Sequence, residues 1–209
     1  MTEKKGTLTG KVILVTGAGR GLGSILSREL AAHGASLAIN DLTPINLDQV
    51  EAQILAENGV VKSYIVDVSK KIPIQGLIQS VQDDFGRIDI LIHCARVRPK
   101  ANLIDMDDWE WQRTLDVNLS GAFFALQSVG RLMRAQGGGK MILVRPDLSA
   151  EIGMGAYSIS MAALQELTSR AASEFKDHAI QVEWLDQQIG TQQVVTQILS
   201  ICSESGLEE

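Results

Sequence analysis

The stretch Lys11 to Gly23, K-V-I-L-V-T-G-A-G-R-G-L-G, limits what this chain can fold into more than any other. Val12 to Val15 form an unbroken apolar run, which suits a strand buried on both faces in a parallel sheet. The run breaks at Gly17 and resumes as a helical pattern, so a strand feeds a tight turn and then a helix. Gly17, Gly21 and Gly23 let the backbone turn sharply and lie close to a ligand. A helix beginning near Gly21 would aim unpaired N–H groups and a positive dipole end at an anion such as a pyrophosphate. The spacing T-G-x-x-x-G-x-G, carried by Thr16, Gly17, Gly21 and Gly23, is neither G-x-G-x-x-G nor a P-loop, and no lysine follows it. A glycine turn can also be purely structural, so the ligand reading needs support from the rest of the chain.

That support begins with the alternation of elements. Leu22, Ile25, Leu26 and Leu30 recur at helical spacing, and Ser36 to Asn40 make a short second strand. Helices are expected over Ile45–Asn58 and Lys70–Phe85, the latter with Pro73 in its first turn, and strands over Val60–Val68 and Asp89–Ala95. One long helix is expected from Asp107 to Ala135, burying Trp109, Leu115, Leu119, Phe123, Leu126 and Leu132. Strands over Met141–Val144 and Ile180–Leu185, with helices over Ser158–Lys176 and Thr191–Cys202, complete the pattern. Strict strand–helix alternation means a doubly wound parallel α/β sheet of about six strands with helices on both faces. With 209 residues, one domain over 1–209 is the default, large enough to bury roughly 70% of its unfolded surface.

Composition narrows the partners. A formal net charge of -6 with no clustered Lys/Arg stretch argues against nucleic acid or an anionic membrane. Cys94 and Cys202 lack metal-ligand spacing and read as reduced thiols. His93 reads as a core or cleft residue, and no metal site is expected. Trp109 and Trp111 read as packing residues. No apolar leader or membrane-length run is visible, so the expected address is the cytoplasm.

Asp41, at the end of the second strand, lies 20 residues beyond Gly21. A carboxylate there can accept from an adenosine ribose and repel a 2′-phosphate, which would favour NAD over NADP. It can equally form an Asx turn into Thr43-Pro44. Arg20 works against the preference, because a cation in the turn tolerates a 2′-phosphate.

Taken together, T-G-A-G-R-G-L-G, Asp41, Asp67-Val68, D-I-L-I-H-C-A-R, V-N-L-S-G with Asn118, and Y-S-I-S-M-A-A-L resemble the short-chain dehydrogenase/reductases, in order and at matching separations. The resemblance implies a Rossmann-type sheet that binds NAD(H), or less readily NADP(H), and transfers hydride to or from a small carbonyl or alcohol. It implies cofactor contacts from Thr16, Gly17, Arg20, Gly21, Leu22, Gly23, Asp41, Asp67, Val68 and Ala95, with Asp67 holding the adenine amino group. Tyr157 would be the acid/base, and Asn118 would hold a water of the proton relay. A homo- or hetero-oligomer formed through helix faces is also implied.

The chain departs from that pattern at one end of the site. The family's Y-x-x-x-K places a lysine one helical turn from the tyrosine, where its ammonium lowers the phenol pKa; here the fourth residue on is Met161. No serine stands where the fifth strand ends at Leu143-Val144-Arg145, and Ser149 is the nearest hydroxyl. Arg96 replaces a glycine beside the cofactor and either points to solvent or crowds the site. The segment after the sixth strand runs almost directly into the last helix, and a seventh strand is missing. An inactive member that senses NAD(H), or serves as a non-catalytic subunit, is therefore the alternative to an active oxidoreductase.

Overall fold

The computed structural model describes residues 7–145, 151–186 and 191–203. β1 (Val12–Thr16) leads through the glycine turn into α1 (Gly21–Ala32), followed by β2 (Ser36–Asp41), α2 (Pro44–Ala56), β3 (Val60–Ile65), α3 (Lys71–Phe85) and β4 (Ile90–His93). After α4 (Asp108–Leu115) and α5 (Gly121–Gln136) come β5 (Gly139–Arg145), α6 (Gly155–Phe175), β6 (Ile180–Asp186) and α7 (Thr191–Ser203). The six strands are all parallel and lie in the order β3-β2-β1-β4-β5-β6. The order reverses between β1 and β4, which opens a crevice at their carboxyl ends.

Alternation along the strands divides the core into two layers. Val12, Leu14, Leu91, Met141 and Leu143 pack on one face with α3, α5 and α6. Ile13, Val15, Leu37, Ile39, Ile90, Ile92, Ile142 and Val144 pack on the other with α1, α2 and α7. Each central strand is thus apolar on both sides, as the run Val12 to Val15 requires. Among the described residues no helix is long and apolar enough to cross a membrane.

Two elements depart from the sequence pattern. The third strand stops at Ile65 rather than Val68, because its last partner in register is Asp41, where β2 ends. The long helix is interrupted: a π-helical turn over Asp116–Ser120 separates α4 from α5, and the Gly121 N–H bonds to the Asp116 carbonyl five residues back. The wide turn resets the helical phase. Trp109 is consequently 70% exposed and Phe123 42% exposed, against the expectation that they are buried. Val117, Ala122, Ala125, Val129 and Met133 form the buried stripe instead.

Candidate functional site

The glycine turn closes on itself and on the loop after β4. Gly17 has φ +68°, and a Cβ there would lie 2.6 Å from the Ala95 nitrogen. A Cβ on Gly23 would lie 2.2 Å from the Gly17 carbonyl oxygen. Both contacts are with backbone, which cannot swing aside, so only glycine fits either position. The turn is also tied to the end of β2: the Ala18 N–H donates to the Asn40 carbonyl at 2.9 Å, and the Gly19 N–H to Asp41 Oδ2 at 2.9 Å.

Asp41 fulfils both of its sequence readings at once. Its Oδ1 accepts from the Leu42 and Thr43 amides at 2.7 and 3.2 Å, an Asx turn leading into α2. The same carboxylate stands on the wall of a cleft of about 390 Å³ at the β1/β4 switch point. Gly17, Arg20, Gly21, Leu22, Gly23, Asp67, Val68 and Ala95 line this cleft as well.

Thr16 is the exception among the predicted cofactor residues. It is fully buried, and its hydroxyl pairs with His93 Nδ1 at 2.8 Å. Burial, with the Arg96 charge adding to it, pushes the His93 imidazole down to about 4 and keeps it neutral. Cys94 follows on the cleft wall, where burial pushes its thiol up to about 12.

Asp67 is held by partners that spacing alone did not reveal. Its Oδ1 accepts from the Ser69 amide at 2.9 Å and the Ser69 hydroxyl at 2.7 Å, and Arg113 Nη1 reaches Oδ2 at 3.3 Å. Partial burial pulls this carboxyl upward, but the Ser69 and Arg113 bonds outweigh it and hold the carboxyl below its usual range. Arg113 comes from α4 and lines the cleft with Arg20, Arg96 and Arg98. Of the two sequence readings of Arg96, the structure gives the one in which it faces the cleft.

Asn118 and Tyr157 stand behind the cleft rather than on its wall. Asn118, in the π turn, is 1% exposed. Its Oδ1 accepts from the Val97 N–H at 2.8 Å, and its Nδ2 donates to the Val97 carbonyl at 3.0 Å and to Ser160 Oγ at 2.9 Å. Ser160 in turn donates to the Tyr157 carbonyl at 2.7 Å. Asn118 thus clamps the loop after β4 to the first turn of α6, a structural task that the expected water-binding role did not include.

Tyr157 is 2% exposed, and Met161, one turn further along α6, is fully buried in the same apolar layer. The loop after β4 brings a cation to this tyrosine from another direction. The Arg98 guanidinium carbon lies 5.5 Å from the centroid of the Tyr157 ring. Arg98 and Lys100 both pair with Glu151, just ahead of α6, and the Ala101 N–H donates to the Gly153 carbonyl at 2.9 Å. Ser149 and the segment 187–190 lie outside the described residues. Among the described residues no group of His, Cys, Asp and Glu is arranged to hold a metal ion.

Comparison with known proteins places this geometry among relatives. A family model described as short chain dehydrogenase matches residues 11–203. The short-chain reductase protein NovJ of Streptomyces niveus is 33% identical over 172 residues, covering 82% of this chain and 66% of NovJ. D-threitol dehydrogenase of Mycolicibacterium smegmatis is 36% identical over 135 residues, covering 65% of this chain and 52% of that enzyme. The chain therefore spans between half and two thirds of the length of these two relatives. A crystal structure of a metagenomic short-chain oxidoreductase in complex with NADP superposes with a TM-score of 0.89 at 26% identity, covering 95% of this chain and 93% of that one. NAD+-bound xylitol dehydrogenase superposes with a TM-score of 0.82 at 28% identity, covering 95% and 88%.

Proposed function

The chain belongs to the short-chain dehydrogenase family, and on that premise we propose that it is an oxidoreductase that binds NAD(H) in the β1/β4 cleft and acts on a small alcohol or carbonyl compound. The observation that carries this reading is the glycine turn, whose backbone approach to Ala95 leaves Gly21 facing open space on the cleft wall. Arg20 gives α1 no side-chain cap, so the first-turn amides and the dipole are available to a pyrophosphate.

Asp41 supports NAD over NADP, since its carboxylate opposes a 2′-phosphate, while Arg20 pulls the other way. The bound cofactor would supply the hydride chemistry. The chain's own residues do the rest. Asp67 and Val68 receive the adenine, and Tyr157 holds the exchangeable proton at its hydroxyl. Asn118, through Val97 and Ser160, fixes the loop and the helix turn that carry that hydroxyl. Ser149 is the candidate donor to the substrate oxygen. Small polyols and their ketones form the first substrate panel, because related dehydrogenases are named for D-threitol and xylitol. Residues 1–209 act as one dinucleotide-binding unit, cytoplasmic and oligomeric through helix faces.

Met161 favours a second reading, a dinucleotide-binding subunit or sensor without turnover, since an apolar side chain fills the core at the position of the family's ammonium. Calorimetric titration with NADH and with NADPH, followed by turnover assays at the reduced-nicotinamide absorbance, tests both. Tighter NADH binding with turnover supports the oxidoreductase, and NADH binding without turnover across alcohols and carbonyls supports the second reading. Failure of both cofactors to bind overturns both.

A further inference from the structure

The loop after β4 reads Arg96-Val97-Arg98-Pro99-Lys100, three cations in five residues. Arg96 and Arg98 line the cleft, Asn118 clamps Val97, and Glu151 draws Arg98 and Lys100 toward the start of α6. We propose that Arg98 is the positioning cation of Tyr157, stabilising its phenolate from the ring face in place of a charge on α6. The proposal rests on the reading of Tyr157 as the acid/base.

The physical argument is differential. A guanidinium 5.5 Å from the ring centroid meets only a quadrupole when the phenol is neutral, but a full negative charge partly spread into the ring when it is ionised. Its attraction to the phenolate is therefore the larger one, and the buried ring weakens solvent screening on its side. Arg98 itself is 48% exposed and shares its charge with Glu151, which limits the effect to about one pH unit, the low end for an opposite charge at this range.

The other charged groups on neighbouring elements have their own partners. Lys100 pairs with Glu151, Arg113 of α4 with Asp67, and Asp116 of the π turn with Gln112. Arg96 stands on the cleft wall two residues before Arg98. Met161 brings no charge from α6.

The chain contains two tyrosines, which makes the test direct. The Tyr64 hydroxyl donates to Asp84 at 2.6 Å, and burial with that carboxylate pushes its pKa up, away from the step to be followed. Phenolate absorbance is titrated in the wild type, Y157F, R98A, R98K and E151Q. The step lost in Y157F belongs to Tyr157. R98A should raise its midpoint by about one pH unit, whereas R98K, which keeps the charge, should recover most of the wild-type value. E151Q removes the carboxylate that offsets Arg98 and should lower the midpoint, which keeps the proposal testable even if R98A does not fold.

A folded R98A that titrates with the wild type overturns the proposal, as does an R98K shifted as far as R98A, or an E151Q midpoint that stays or rises. NADH calorimetry on the same samples separates the two claims. Binding without a phenol shift refutes only the role of Arg98, and a phenol shift without binding refutes only the dinucleotide reading.

Discussion

Acidifying the protein from pH 6.5 toward pH 4 loads a proton onto His93 in the unfolded chain but not in the folded one, because burial, helped by the Arg96 charge, lowers the imidazole from 6.5 to about 4. Between those values the unfolded state binds more protons, so stability rises with pH. The His93 contribution is fully present above 6.5, falls progressively below it, and is spent once the folded imidazole also protonates near 4. At about 1.36 kcal/mol per pH unit, the difference is worth about 3 kcal/mol, a large share of the 5–15 kcal/mol typical of a folded domain. The comparison protein is H93N, whose amide keeps a polar partner for the Thr16 hydroxyl but does not titrate. Urea unfolding followed by tryptophan fluorescence at intervals between pH 7.5 and 4.5 should give curves for the two proteins that run together above pH 7 and diverge below 6.5, the wild type losing about 3 kcal/mol more. Carboxylates common to both cancel in the difference. Parallel curves through the whole range would refute the reasoning, since they would mean that His93 takes up its proton without unfolding.

Further outcomes follow from the same contacts. M161K places an ammonium where the side chain is now fully buried among apolar neighbours and should cost about 3 kcal/mol, a loss of roughly 6–12 °C in Tm at this size; thermal unfolding decides. G23A forces a Cβ to within 2.2 Å of the Gly17 carbonyl and should abolish NADH binding in calorimetry, with a stability loss of about 2 kcal/mol or more. D41A removes the acceptor of the Gly19, Leu42 and Thr43 amides; about 1–2 kcal/mol of stability should go, and paired calorimetry should show the NADH preference over NADPH narrowing. Both thiols are pushed up to about 12, chiefly by burial, so a thiol reagent at pH 8 should modify Cys94 and Cys202 at least about a hundredfold more slowly in the folded protein than in urea.

The parts of this molecule that were legible in the sequence are those governed by short-range periodicity. The run Val12 to Val15 announces a strand buried on both faces, and the glycine spacing announces a turn that must approach another backbone, because each constraint lies within a few residues of its cause. The phase of the helix through Trp109 was not legible, since one π turn shifts the buried stripe onto Val117, Ala122 and Ala125 while the three- and four-residue steps look unbroken. Thr16 was misjudged for a different reason. Its hydroxyl is occupied by His93, a neighbour across the sheet register and distant in the chain. The clamp of Asn118 on Val97, the Arg113–Asp67 pair and the Arg98 stack on Tyr157 are likewise meetings of separate loops and helices. The clustering of Arg96, Arg98 and Lys100 was the one visible hint of that last contact, though it does not say which ring the cations would meet.

The π turn at Asp116–Ser120 also makes chain length itself a structural variable. An α-helix advances about 100° per residue, so deleting a single residue from this turn, which would restore regular α geometry, would rotate everything after it by that angle. Phe123 would be driven toward the sheet, Ala122 and Ala125 turned away from it, and Asn118 parted from Val97. Substitutions along this helix can be absorbed one side chain at a time, whereas a one-codon deletion here would break the core and the site together.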